Sequence, residues 1–167
     1  MDALEAIMSR RSVRKYTDQK VSHEIVEELL KAAMNAPSAN NYQPWHFVVI
    51  DDRQILDRIP EFHAYSSMLY FAPLAIAVCG DSRISSAYWV QDCSAAAENI
   101  LLAAHASGLG AVWLGFYPEE HRVQELHTLL NLPDNIVPLS LISLGYPAAG
   151  KPPENRFSLS KVHHNRW

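Results

Sequence analysis

Residues 88–115 read YWVQDCSAAAENILLAAHASGLGAVWLG. The run from Tyr88 to Ala106 has neither Gly nor Pro, is rich in alanine and is apolar on more than one face. That composition predicts a helix buried at the centre of the fold rather than one lying on its surface. Ser107-Gly108 ends it, and AVWL (111–114) follows at once as a short apolar strand. A buried helix leading into a core strand calls for layers of structure on both sides.

Outward from this unit, helix and strand signals alternate. Toward the C-terminus, Pro118 with Glu119 and Glu120 opens a helix carrying Val123, Leu126, Leu129 and Leu130. PLSLISLGY (138–146) then supplies a last strand, and the chain beyond Pro147 is an irregular polar tail. Toward the N-terminus, PLAIAVC (73–79) and HFVVI (46–50) suit strands covered on both faces, with RQILDRI (53–59) as a helix between them. Ser22 caps another helix, whose predicted buried stripe is Ile25, Val26, Leu29, Leu30, Ala33 and Met34 and which Pro37 stops. Ala3, Leu4, Ile7 and Met8 mark a short helix that ends near Ser9. The pattern predicts an α+β fold, a mixed α/β sandwich with a central mixed sheet flanked by helices. No stretch rich in Gly, Ser or Pro divides it, so residues 1–167 are expected to form one domain.

The formal charge is −4, from 14 Lys and Arg against 18 Asp and Glu, which argues against general binding to nucleic acid or anionic membranes. Cys79 and Cys93 lack CxxC spacing and read as small core residues in a reducing compartment. MDALEAIMSRR carries acids before its arginines, unlike a secretory or transit leader, and the most apolar late stretch is broken by His105 and Ser107. A cytoplasmic protein without membrane contact is expected.

Against this acidic background, RRSVR (10–14) stands out. Arg10, Ser12 and Arg14 share a face in an extended segment, and Arg10 and Arg14 share one on a helix. Paired guanidinium forks and a hydroxyl suit a phosphomonoester; the alternatives are a solvated patch or a basic sorting signal. APSANNYQPWHF (36–47) fixes its backbone with Pro37 and Pro44, offers Ser38, Asn41 and Gln43, and anchors itself with Trp45. Such a loop suits the edge of a flat heteroaromatic ring, or is simply a well-capped connection. GLGAVWLGF (108–116) lacks the spacing of a dinucleotide fingerprint, but Gly115 can admit a planar ring close to backbone N–H groups. No GxSxG, HExxH or spaced ligand set occurs, so no catalytic side chain and no metal site is assigned. A chain with recognition groups and no side-chain acid–base machine leaves the reaction to a cofactor.

In their order and separations, RRSVRKY (10–16), APSANNYQPWHF, the 88–115 stretch and the terminal GYPAAGKPPENRFSLSKVHHNRW (145–167) resemble the nitroreductase family of flavoproteins, especially its short members. The resemblance implies FMN, with its phosphate on Arg10, Arg11, Ser12 and Arg14 and with Arg156 and Lys151 closing from the tail. It implies that Pro37, Ser38 and Ala39 lie against the isoalloxazine from the partner subunit, with Asn41 and Gln43 as polar contacts. Trp113, Leu114 and Gly115 match the segment at the reactive N5 edge. It further implies an intertwined homodimer with FMN at the interface and the 88–106 helix at its centre. The implied activity is ping-pong hydride transfer from NADH or NADPH through N5 to a small acceptor such as a nitroaromatic or quinone. The same resemblance leaves open a narrower reaction (dehalogenation, flavin fragmentation or dehydrogenation) or an FMN-binding sensor or store without turnover. Two departures concern the pocket: Gly115 stands where larger relatives carry an acid, and HAYSSM (63–68) lacks their Asn. Tyr65, Met68 and Tyr70, in the loop from Phe62 to Phe71, are candidates to line the substrate side.

Overall fold

Ser22, as expected, starts a helix: its hydroxyl accepts from the Ile25 N–H at 3.4 Å and opens α2 (His23–Met34). Asp2 caps α1 (Ala3–Ser9) and Asp52 caps α3 (Arg53–Phe62) in the same way, each at 2.8 Å. A cap of this kind is worth about 1 kcal/mol. The computed structural model describes residues 1–150 and 152–167, so Lys151 lies outside the described residues. α2 ends at Met34, with Asn35 as its C-cap, before Pro37 is reached. Val26, Leu29 and Ala33 are buried, whereas Met34, expected in that stripe, is 53% exposed at the frayed end.

Four strands, β1 (Trp45–Ile50), β2 (Leu74–Asp81), β3 (Gly110–Gly115) and β4 (Ile136–Gly145), form one sheet in the order β1-β2-β4-β3. All three ladders are antiparallel, and the expected mixture of directions is confined to a bridge where Ser12 runs parallel to Ala111. β2 is buried along its whole length because both of its faces are covered. Leu74, Ile76 and Val78 pack with Leu29, Ala97 and Ile100 of the α2 and α4 (Trp89–Ala106) layer. Ala75, Ala77 and Cys79 point the other way, toward Leu56, Ile59 and Leu126 of α3 and α5 (Glu120–Leu129). β1 departs from expectation: it is an edge strand, and His46 and Val49 are exposed.

α4 is the buried central helix that its composition predicted. It closes in a Schellman motif, with Gly108 at φ +78°, its N–H on the His105 carbonyl, and the Leu109 N–H on Ala104. This turn delivers the chain directly into β3. There the Val13 N–H donates to the Ala111 carbonyl at 2.9 Å, so the arginine segment lies along the first half of the β3 edge. Close approach requires Gly110, since a Cβ there would stand 2.6 Å from Val13 Cγ1. Tyr16 fastens the far end, its hydroxyl donating to the Val13 carbonyl at 2.9 Å while Ser143 donates to it at 3.0 Å.

Candidate functional site

β3 is an edge strand, and only its first half is covered. The Phe116 N–H bonds to the Leu139 carbonyl, which fixes residues 116, 114 and 112 as those that exchange hydrogen bonds with β4. Residues 111, 113 and 115 therefore direct both backbone groups away from the sheet. Ala111 uses its carbonyl for the arginine segment, whereas Trp113 and Gly115 open onto a cleft of about 470 Å³. Arg14, His63, Tyr65, Ser67 and Arg122 are among its other walls. A Cβ on Gly115 would meet nothing within 4 Å, so the missing side chain leaves the strand edge open to a flat group.

His63 shapes this edge. It is 98% buried by its neighbours, packs on Phe116 with ring centroids 4.9 Å apart, and places Nε2 2.9 Å from the Gly115 carbonyl. A carbonyl only accepts, so Nε2 carries the hydrogen, while Nδ1 is buried without a partner. Arg122 reaches the same carbonyl at 3.4 Å.

A second cavity, about 540 Å³, holds the other half of the expected site. Arg10 and Arg11 of the N-terminal segment meet Arg156 of the tail there. Arg11 ties the tail down by donating to the Pro152 carbonyl at 2.6 Å and pairing with Glu154 at 3.1 Å. Glu154 also takes Arg156 at 3.4 Å, and Arg10 lies 3.5 Å from Glu98. Three guanidinium groups against two carboxylates, Glu154 and Glu98, still leave a net positive charge here. Arg10 and Arg14, expected to converge, instead line different cavities.

The loop 37–43 is built as a rigid turn, but on the far side of the sheet. Asn40, Asn41 and Gln43 hold φ of 51°, 57° and 50°. Ser38 Oγ accepts from the Gln43 N–H at 3.0 Å, and Gln43 Nε2 donates to Asn41 Oδ1 at 2.8 Å. Trp45 is buried as expected, and the Ala39 N–H is held at 3.0 Å by Asp92 of α4, a buried carboxylate that sequence reasoning missed. An acid in an apolar helix is seldom buried without such a partner, which was the available signal. The loop enters β1, and β1 and β3 are opposite edges of the sheet, about 14 Å apart at three strand spacings. One chain does not bring Pro37, Ser38 and Ala39 onto Gly115.

Of the other sequence candidates, Tyr65 and Met68 line the β3 cleft, and Tyr70 is exposed elsewhere. Cys79 and Cys93 are buried thiols, and burial pushes both up to about 12. Among the described residues, no helix is long and apolar enough to cross a membrane.

The sequence model of the Nitroreductase family matches residues 7–66 and 63–146. A provisionally named NADH dehydrogenase/NAD(P)H nitroreductase of Methanothermobacter thermautotrophicus is 48% identical over 169 residues, covering 100% of this chain and 88% of that protein. A crystal structure of a protein with the same provisional name, from Parabacteroides distasonis, superposes with a TM-score of 0.97 at 44% identity, over 99% of this chain and 98% of that one. An FMN-dependent nitroreductase from Clostridium difficile follows this fold with a TM-score of 0.92 at 31% identity, over 98% and 99% of the two chains.

Proposed function

This chain belongs to the nitroreductase family, and on that premise we propose that it is an FMN-dependent NAD(P)H oxidoreductase that reduces small planar acceptors such as nitroaromatics and quinones. The observation that carries the reading is the placement of an arginine cavity and an open strand edge along one continuous stretch of backbone. The arginine segment pairs with the start of β3, and the free half of the same strand continues past it to Gly115. The donor set fits the cofactor: guanidinium forks suit a phosphate, and the outward N–H groups of Trp113 and Gly115 line an open cleft that can take a flat ring.

Arg10, Arg11 and Arg156 would hold the phosphate. Glu154, on the exposed tail, gives way to it, because exposed ion pairs contribute 1 kcal/mol at most or about that. Arg14 and the outward N–H groups of Trp113 and Gly115 would face the ring. Bound there, FMN would supply the two-electron redox chemistry that no side chain here can. The chain's own part is to orient and to neutralise. Its fixed dipoles and cations favour added negative charge in the cleft. For a quinone the balance is quinone + NAD(P)H + H+ → quinol + NAD(P)+, and for a nitro group it is ArNO2 + NAD(P)H + H+ → ArNO + NAD(P)+ + H2O. Solvent supplies the proton.

The separation of loop 37–43 from the β3 edge supports a homodimer in which each copy lends that loop to the other's cleft. α1 and the tail support it too, since both carry apolar side chains with no cover in one chain: Leu4, Met8, Phe157 and Leu159 are each more than 70% exposed. We take residues 1–167 as one domain acting in the cytoplasm. The deciding measurement is an absorbance spectrum of the protein incubated with FMN and desalted, followed by anaerobic NADPH and then NADH. Retained flavin that bleaches supports the oxidoreductase. Retained flavin that stays oxidised favours a sensor or store, and loss of flavin on desalting rejects the cofactor assignment.

A further inference from the structure

The β3 cleft has one feature that flavin binding does not require. Its walls carry Arg14, His63 and Arg122 and no acidic side chain. Arg122 is the cation nearest the Gly115 end. Its guanidinium stands 5.8 Å above the ring of Tyr65 and makes one long hydrogen bond, 3.4 Å, to the Gly115 carbonyl. Among the described residues no carboxylate comes within 4.0 Å of it, although Glu125 lies one turn away on α5 and Glu119 stands at the N-cap of that helix. By contrast Arg10, Arg11 and Arg156 each have a carboxylate within that distance. A guanidinium presents five donors in a planar fork, and most of those on Arg122 are unused. Tyr65, 73% exposed, sets an aromatic face beside this fork. In a cleft with walls of low dielectric, such a charge concentrates anions.

We propose that Arg122 is a specificity residue of this site and selects planar acceptors that carry an acid group, such as nitrobenzoates or sulfonated quinones. The carboxylate or sulfonate lies on the Arg122 fork and the ring lies beside Tyr65, leaving the Gly115 edge to the flavin. This deepens the oxidoreductase reading and rests on it for the redox step, but the binding preference can be read without turnover. The sequence left Arg122 unassigned, because only the turn of α5 against the end of β3 brings it to the cleft.

The test uses the protein incubated with FMN and two matched probe pairs. Calorimetric titration compares benzoate with benzamide as unreactive ligands. Steady-state kinetics compares 4-nitrobenzoate with 4-nitrobenzamide. Benzoate is expected to bind roughly tenfold more tightly than benzamide, with the advantage declining as salt is raised. Arg122→Gln is expected to bring the acid-to-amide ratio of kcat/KM down about tenfold, mainly through KM, and Arg122→Lys to restore most of it. Equal ratios in the wild type and Arg122→Gln overturn the proposal, as does equal binding of benzoate and benzamide by the wild type. If flavin is lost on desalting while the benzoate preference persists and depends on Arg122, the oxidoreductase reading falls and the anion site stands.

Discussion

His63 Nε2 stands 2.9 Å from the carbonyl oxygen of Gly115, joining the loop that follows α3 to the free edge of β3. The bond fixes the peptide plane that follows Gly115, and it comes from a side chain that is itself held on Phe116. His63→Gln can still donate from its amide, whereas His63→Leu cannot. The leucine variant is expected to lose about tenfold in the rate of flavin reduction by NAD(P)H, because a backbone shift of under 1 Å at a reacting edge has effects of that order. The glutamine variant should recover much of the loss. Stopped-flow reduction of the two, alongside their urea midpoints, separates positioning from folding. Equal rates in wild type and His63→Leu would show that the bond positions nothing.

Arg10 and Arg156 face one cavity from opposite ends of the chain. On the proposed assignment each contributes charge to the phosphate of FMN, so Arg10→Ala and Arg156→Ala should each raise the FMN dissociation constant about ten- to hundredfold, a charge-assisted bond being worth about 1.5–3 kcal/mol. Riboflavin, which has no phosphate, should bind the wild type and both variants alike. Fluorescence quenching titrations measure all six constants. A variant that weakens riboflavin as much as FMN would place that arginine elsewhere than at the phosphate.

The elements were readable where the local signal was strong. α2 begins at Ser22 and α4 spans the Ala-rich run, because caps and composition act over a few residues. β1 was misjudged as covered on both faces, since HFVVI is apolar whether it lies inside the sheet or at its edge, and strand order is set by tertiary pairing. The site was legible as segments rather than as a surface. RRSVR and Arg156 were expected to meet, and the tail does fold back onto Arg11. The split of Arg10 from Arg14 between two cavities is set by tertiary contacts, which no periodicity announces. His63, Asp92 and Arg122 act through partners 52, 53 and 7 residues away, and such contacts leave little trace in a single sequence.

Gly110 admits the arginine segment to the sheet, and an added methyl group would stand 2.6 Å from Val13 Cγ1 and 2.7 Å from its Cβ. Gly110→Ala should therefore destabilise the protein by about 1–3 kcal/mol, the usual cost of overpacking. It should also weaken FMN, since the displaced strand carries Arg10 and Arg11. Adding Val13→Gly removes the clashing Cβ together with its methyl groups. The double variant is expected to regain both stability and flavin, as a cycle of denaturant unfolding and binding titrations would show. Additive losses in the double variant would mean that the two residues do not meet.

Burial raises three groups together: Tyr16 from 10.0 to about 12, and Cys79 and Cys93 from 9.0 to about 12. In each case the folded state keeps the proton to a higher pH than the unfolded chain does. The stability they contribute is therefore complete below about pH 9 and is lost as pH rises toward 12, at about 1.4 kcal/mol per pH unit for each group in its window. The thiols act first, and Tyr16 joins above pH 10. Cys93→Ala removes one of the groups while keeping a small apolar side chain in the core. Between about pH 8 and about pH 10.5 its unfolding free energy should decline by about 2 kcal/mol less than that of the wild type, and Tyr16→Phe should flatten the curve only above pH 10. Urea titrations at the two pH values test this. A decline in Cys93→Ala as steep as that of the wild type would mean that the thiol ionises as readily in the folded protein as in the unfolded chain, which its place against the Cys79 carbonyl at 3.5 Å argues against.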